Sequence, residues 1–287
     1  MFNVWLCTLD EVRRHRKMTS TEVDDDALLT DLIQNASAEL CAALRRTPMV
    51  YFAEQRFDYS KQYIKSSRLL TVDEDLLAVE SVENGNGAAI NTANVLLKPS
   101  NLYPRYGVIL TQDAWTSGTV KEQCIGVEGW WGYVPHYPNC WRTIATLPAS
   151  NLDDASDTTF DITEGSGALF EIGQYLLIDD EIMQVTARTL SVEVSEELTV
   201  DRITVERGVL GTTAAAHATA APMKKFQQLP DIRDAVVNMT VYKYLTKDRV
   251  GGRVTVFDNN AVATEDLDRS VYQTRDRHKR HDLLFGE

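Results

Sequence analysis

Apolar side chains recur at three- and four-residue spacing in two parts of the chain, one towards each end. Leu29, Leu32, Ile33, Ala36, Leu40, Ala43 and Leu44 form one stripe and predict a helix. Asp24, Asp25 and Asp26 sit in its first turn, where negative charge suits the helix dipole. Arg45 and Arg46 close it, and Thr47-Pro48 stops it. Just upstream, Thr8-Leu9-Asp10-Glu11 has the form of a capping box, which starts an earlier, shorter helix. Near the other end, Ile232, Val236, Met239, Tyr242 and Leu245 mark a second stripe behind Pro230, ended by Gly251-Gly252.

Between residues 51 and 226 the period is two instead. Phe57 and Tyr59, LLAVESV (76–82), VLL (95–97), VIL (108–110) and IGV (125–127) are short strand-like runs, with a tight turn predicted at Asn84-Gly85-Asn86-Gly87. After the polar link PASNLDDASD, YLLIDDEIMQV reads as a hairpin turning at Asp179-Asp180, and LSVEV and LTVDRITVE alternate apolar with polar. RVTVFDNN (253–260) reads as one more strand. Together these patterns predict an α+β chain: a helical bundle formed from the N- and C-terminal segments, two inserted small β domains and an extended C-terminal tail. The boundaries fall at 1–50 (helical), 51–148 (β), 149–226 (a second, acidic β domain), 227–260 (helical, completing the bundle) and 261–287 (tail).

Charge changes this picture by its location. The chain carries a net −13, but residues 151–200 alone contain twelve Asp/Glu against one Arg, which leaves the other 237 residues at −2. Such a split predicts parts that face different surroundings, and it argues against a dedicated DNA-binding protein. No run reaches the roughly 18 apolar residues of a membrane span. The start, MFNVWLCTLDEVRRHRK, puts its apolar residues before its basic ones, the reverse of a signal peptide, and predicts a cytosol-like compartment. Four scattered cysteines, Cys7, Cys41, Cys124 and Cys140, fit buried free thiols.

Candidate chemistry is sparse. There is no phosphate-binding glycine loop, no H-E-x-x-H and no G-x-S-x-G. Cys124, His136 and Cys140 are three soft ligands, but a closed zinc site takes four, so no metal is expected. The acidic pairs Asp153-Asp154, Asp179-Asp180 and Glu196-Glu197 read as solvated surface, because strand neighbours point to opposite faces. Catalytic residues and cofactors are expected to be absent. Trp130, Trp131 and Trp141 in GWWGYVPHYPNCW read as core or subunit packing, with stacking on a sugar ring or a nucleic-acid base as the alternative. The tail combines Arg275, Arg277, Lys279 and Arg280 with Leu283, Leu284 and Phe285, a set suited to docking on another protein. VERGVLGTTAAAHATAAP (205–222) breaks at Gly208 and Gly211 and then runs through small residues; His217 has no evident partner there and reads as packed or interfacial.

Three stretches carry a resemblance. LDEVRRH…DDDALLTDLIQNASAEL resembles the opening helices of tailed-phage head–tail connector (adaptor) proteins. DLLAVESVENGNG…LKPSNLYPRYGVIL…IGVEGWWGY resembles a β region of phage neck proteins. GQYLLIDDEIMQV…ITVERGVLGTTAAAHATAAPM resembles a small β module of phage connector and tail proteins, marked by E-R-G, a G-T turn and an Ala-rich segment with one His. The resemblance implies a non-enzymatic ring subunit, typically twelve copies, in the virion neck. It would be assembled in the host cytoplasm and join the portal protein to a tail or tail-completion protein, while double-stranded DNA passes through without sequence-specific binding. On that reading the tail residues reach the portal, and no membrane is involved. A tail-side component (terminator or baseplate type) and a receptor- or carbohydrate-binding module are the alternatives.

Overall fold

The period-two segment makes up most of the protein. The computed structural model describes residues 4–18, 23–148, 152–195, 198–246 and 264–279, and in it this segment forms two antiparallel sheets. The first has seven strands: β1 (Tyr51–Phe57), β2 (Ile64–Ser66), β3 (Leu69–Glu83), β4 (Ala89–Ile90), β5 (Val95–Lys98), β6 (Arg105–Leu110) and β7 (Ile125–Trp131). Its path is β1-β7-β3-β6-β5, with β2 and β4 also paired to β3. The second has six: β8 (Trp141–Thr146), β9 (Thr159–Thr163), β10 (Tyr175–Ile178), β11 (Glu181–Ser195), β12 (Leu198–Glu206) and β13 (Pro222–Phe226), in the order β8-β13-β10-β11-β12-β9. The helices are α1 (Leu9–Arg16), α2 (Asp26–Leu44), α3 (Pro230–Thr246) and α4 (Thr264–His278).

The α+β fold expected from the sequence, a helical bundle carrying inserted β domains, is therefore corrected: the protein is mostly β. α1 has two turns only, eight residues long, and its middle and end are arginines and a histidine. β3 and β11 run 15 residues each, and the strands bring in most of the apolar side chains that need burial. The extended tail is corrected as well, since Thr264–His278 is helical. Thr274 and His278, four residues apart, are both buried, and His278 Nε2 lies 2.7 Å from Asp231 at the start of α3. One inward face with an anchor suffices to hold a helix. The strand expected at 253–260 and the stop at Gly251-Gly252 lie outside the described residues.

The chain divides into two compact units. One, Arg46–Cys140 with Leu210–Thr212, holds the first sheet. Its centre is Trp131, fully buried in β7, whose indole N–H donates to the Ala53 carbonyl at 2.9 Å. The next residue, Gly132, has φ +129, and a Cβ there would lie 1.9 Å from the Met49 carbonyl oxygen, so only glycine fits. The turn predicted at Asn84–Gly87 joins β3 to β4, with the Asn84 N–H donating to the Ala88 carbonyl at 2.8 Å and Gly87 at φ +81.

The other unit, Met1–Arg45, Trp141–Val209 and Thr213–Glu287, holds the second sheet and the helices. The inner face of that sheet packs Phe160, Phe170, Leu176, Ile178, Met183 and Ile203 into one core. α1 is fastened to the sheet's connections. The Leu9 N–H donates to the Ile172 carbonyl at 3.0 Å, Asp10 accepts from the Ile172 N–H, and Arg188 of β11 pairs with Asp10 at 3.0 Å. The Thr8–Glu11 capping box forms in both directions. α3 buries Ile232, Ala235, Val236, Val237, Thr240 and Val241, whereas Met239, Tyr242 and Leu245 of the expected stripe are only half-buried. α3 meets α1, α2 and α4, so its burial wraps around the helix instead of following one stripe.

Candidate functional site

β10 and β11 form a hairpin whose two-residue turn is Asp179-Asp180, with Asp179 at φ +51. Glu181 is the first residue after that turn, and its carboxylate points inward, 2 % exposed. A lone buried carboxylate is costly unless paired, and the segment after β12 supplies the pairing. Arg207, directly following Glu206, donates from Nε and Nη2 to the two oxygens of Glu181 at 2.7 and 2.8 Å. Its remaining donors reach the carbonyls of Asp157 at 2.7 Å, Ala215 and Asp154.

The loop beyond Arg207 closes on the same carboxylate. The N–H groups of Gly208 and Ala215 each donate to Glu181 at 2.9 Å, and Gly208 needs φ +61 to do so. His217 completes the set: Nε2 lies 2.9 Å from Glu181 and Nδ1 lies 2.8 Å from Asp179. Carboxylates only accept, so both contacts are filled when the ring carries an N–H on each nitrogen. The expectation that His217 lacks partners is thus corrected; they come from the hairpin some 36–38 residues earlier in the chain. Burial pushes the Glu181 carboxyl upward, but Arg207, the two backbone N–H groups and His217 together outweigh it and hold it below the usual range.

Chemically, this cluster is closed. Five donors converge on the two oxygens of Glu181, which leaves no lone pair for a substrate proton. The arrangement does one thing well: it clamps the loop 207–217 onto the hairpin.

The same sheet carries an open feature. β11 pairs with β10 only over Glu181–Gln184, and β12 pairs with β9 only over Val200–Thr204. Past Val200 the two strands have each other alone, Glu193–Ser195 opposite Leu198–Thr199. A bulge at Ser191, φ +55, bends this strand pair. The bulge is pinned by buried Asp201, which accepts from the Ser191 N–H at 2.9 Å and the Gly167 N–H at 2.8 Å. The Ser191 bond is the largest influence holding the Asp201 carboxyl below its ordinary range. Val194 and Leu198 on this extension, and Leu190 at the bulge beside Gly167, are each about half exposed (51 %, 52 % and 51 %).

The other sequence candidates are dispersed. Arg275, Arg277 and Lys279 lie at the end of α4; Arg277 pairs with Asp231 at 2.9 Å while remaining largely exposed, and Arg275 pairs with Asp276 and covers the Tyr272 ring. Arg280, Leu283, Leu284 and Phe285 lie outside the described residues. Cys124, His136 and Cys140 do not converge, and no cluster of three or more metal-binding side chains occurs among the described residues. Burial pushes the Cys140 thiol up to about 12. Trp130 meets Phe52 edge-on in one unit, and Trp141 meets Phe226 edge-on in the other, each at 5.2 Å. Sequence reasoning missed Glu181, Arg207 and Asp201. The available signal was a charged residue interrupting an apolar strand alternation, as Glu181 does in LLIDDEIMQV and Asp201 in LTVDRITVE.

Comparison with protein-family models, with curated proteins and with solved structures finds no match for this chain.

Proposed function

We propose that the chain is a structural subunit of a tailed-phage virion, a head–tail adaptor that forms a ring joining portal to tail and leaves a passage for DNA. The observation that carries this reading is the hairpin extension of β11 and β12. Its end runs past the neighbouring strands, its bulge is held by a buried aspartate, and Leu190, Val194 and Leu198 along it are about half exposed. Exposed apolar side chains on a projecting hairpin suit a contact between subunits. The closed cluster at Glu181 supports the same reading, because its charged groups are spent on holding a loop. The order of the three phage-like stretches supplies the virion context, with assembly in the host cytoplasm and a place in the neck.

The test is reconstitution with portal rings, read by native mass spectrometry and negative-stain imaging. Co-assembly as a ring, near twelve copies, is the expected result. A chain that stays monomeric and ignores the portal at micromolar concentration sinks the proposal. The tail-side alternative draws on the clamp module, whose resemblance extends to tail proteins; binding to tail tubes in place of portal would select it.

A further inference from the structure

A cleft of about 300 Å³ opens in the unit that holds the second sheet, between the start of α1 and the strands β8, β10 and β13. Trp5, Tyr175 and Phe226 supply aromatic wall, and Thr8, Glu11, Arg14 and Glu171 supply polar wall. The carboxylates there are already engaged. Glu171 accepts from the Thr8 hydroxyl at 2.8 Å and from Arg14 at 2.7 Å; Glu11 caps α1 and lies 3.6 Å from Arg233.

The positive groups are not balanced in the same way. Arg142 and Lys225 both line the cleft and stand directly opposite each other in the β8–β13 register. Like charges directly opposed across a strand pair are destabilising. Lys225 feels the charge of Glu171; Arg142, an exposed residue, has no hydrogen-bond or ion-pair partner among the described residues. Gln174, 5 % exposed, adds a second deficit. Its side-chain oxygen accepts from the Glu171 N–H at 2.8 Å, which leaves its buried amide Nε2 as a donor with nothing to donate to. A buried donor requires an acceptor. An acceptor-bearing, negatively charged group entering the cleft would face Arg142, Lys225 and the unpartnered Gln174 amide.

We infer that this cleft receives the carboxylate of Glu193 from the hairpin extension of a second copy of the chain. The inference rests on the ring reading above and names the contact that would build it. Glu193 is exposed near the end of β11, without an ion-pair partner among the described residues, and Val194 and Leu198 beside it bring apolar surface suited to Trp5 and Phe226. The chain holds its acidic excess in residues 151–200, where the hairpin lies, and the cleft holds unpaired positive charge, so the two surfaces complement each other. The volume takes one or two side chains. Repeated head-to-tail from copy to copy, an arm-to-cleft contact closes into a ring when the rotation between copies closes.

Zero-length carbodiimide coupling of wild-type protein, mixed from unlabelled and 15N-labelled batches, tests this directly. It joins a carboxylate to an amine only in contact, so the expected product links Glu193 to Lys225 in a peptide pair of mixed isotope. Lack of that pair overturns the inference. In parallel, Arg142→Glu and Glu193→Arg should each weaken self-association about tenfold or more through like-charge contact. An equimolar mixture of the two should recover it, since each variant keeps one intact partner surface and the altered surfaces match each other. Single variants that associate like wild type, or a mixture that does not recover, also overturn it. Rings that form on portal without the cross-link sink this contact and leave the ring reading standing; a chain that neither self-associates nor binds portal sinks both.

Discussion

Arg207 lies along Glu181 with two parallel hydrogen bonds, 2.7 and 2.8 Å, while the two side chains are 5 % and 1 % exposed. Between them they tie the end of β12, the β10–β11 turn and the Ala-rich loop into one body. Removing one partner strands the other as a buried charge. Arg207→Ala is therefore expected to destabilise by about 3–5 kcal/mol, and Arg207→Lys to recover only part of that, because a lysine lacks the planar fork. Chemical denaturation midpoints provide the measurement.

His217 touches two carboxylates of different standing. Asp179 is largely exposed, at 57 %, whereas Glu181 is buried. Asp179→Asn should cost less than about 1 kcal/mol, as exposed pairs do. His217→Ala removes a buried donor from Glu181 and should cost about 1–3 kcal/mol. Equal losses from the two variants would contradict the clamp described here.

Acid should loosen this unit. The Glu181, Asp201 and Asp231 carboxyls are all held below their ordinary values. A depressed folded pKa means stability that is complete above the unfolded value near pH 4 and lost as pH falls through the folded value. Glu11 runs the other way: burial raises its carboxyl, so it favours the folded state as pH falls. The three lowered groups outnumber it, and the denaturation midpoint should drop below about pH 4. The drop should be shallower in Glu181→Gln.

The apolar arm separates stability from assembly. Leu190→Ser, Val194→Ser and Leu198→Ser, made at half-exposed positions, should each change the stability of the isolated chain by about 0.5 kcal/mol or less. Combined, they should abolish ring formation on portal. Sedimentation velocity beside thermal unfolding distinguishes the two effects.

In the first sheet, Gly132→Ala tests a backbone constraint. Its φ of +129 and the 1.9 Å approach of the Met49 carbonyl leave no room for a methyl group. Destabilisation of about 2–4 kcal/mol is expected, from strain and the forced shift of β7. A circular dichroism melt that matches wild type would contradict it.

Local order was legible wherever it depends on neighbours in sequence. The Thr8–Glu11 capping box, the α2 stripe, the Asn84–Gly87 turn and the Asp179-Asp180 hairpin all appear where their residues predicted them. Each is set by backbone angles and hydrogen bonds that span a few residues. The bundle failed as a description of the whole fold: the helices do meet one another, but the period-two segment between them builds two sheets that hold most of the buried apolar side chains. α1 satisfies its polar edge on Glu171, Ile172 and Arg188 of the second sheet.

The candidate site was less legible, because its partners are far apart in the chain. Glu181, Arg207 and His217 are unremarkable in a list of charged residues, and only the sheet brings them to one point. By itself the sequence determined where strands turn, where helices start and where negative charge concentrates, since propensity and spacing act locally. The tertiary structure alone decided which charges are paired with which, and where β11 and β12 run past their neighbours to leave Val194 and Leu198 half exposed. Burial and pairing are properties of distant segments meeting: a break in strand alternation marks Glu181 and Asp201, but nothing local names their partners.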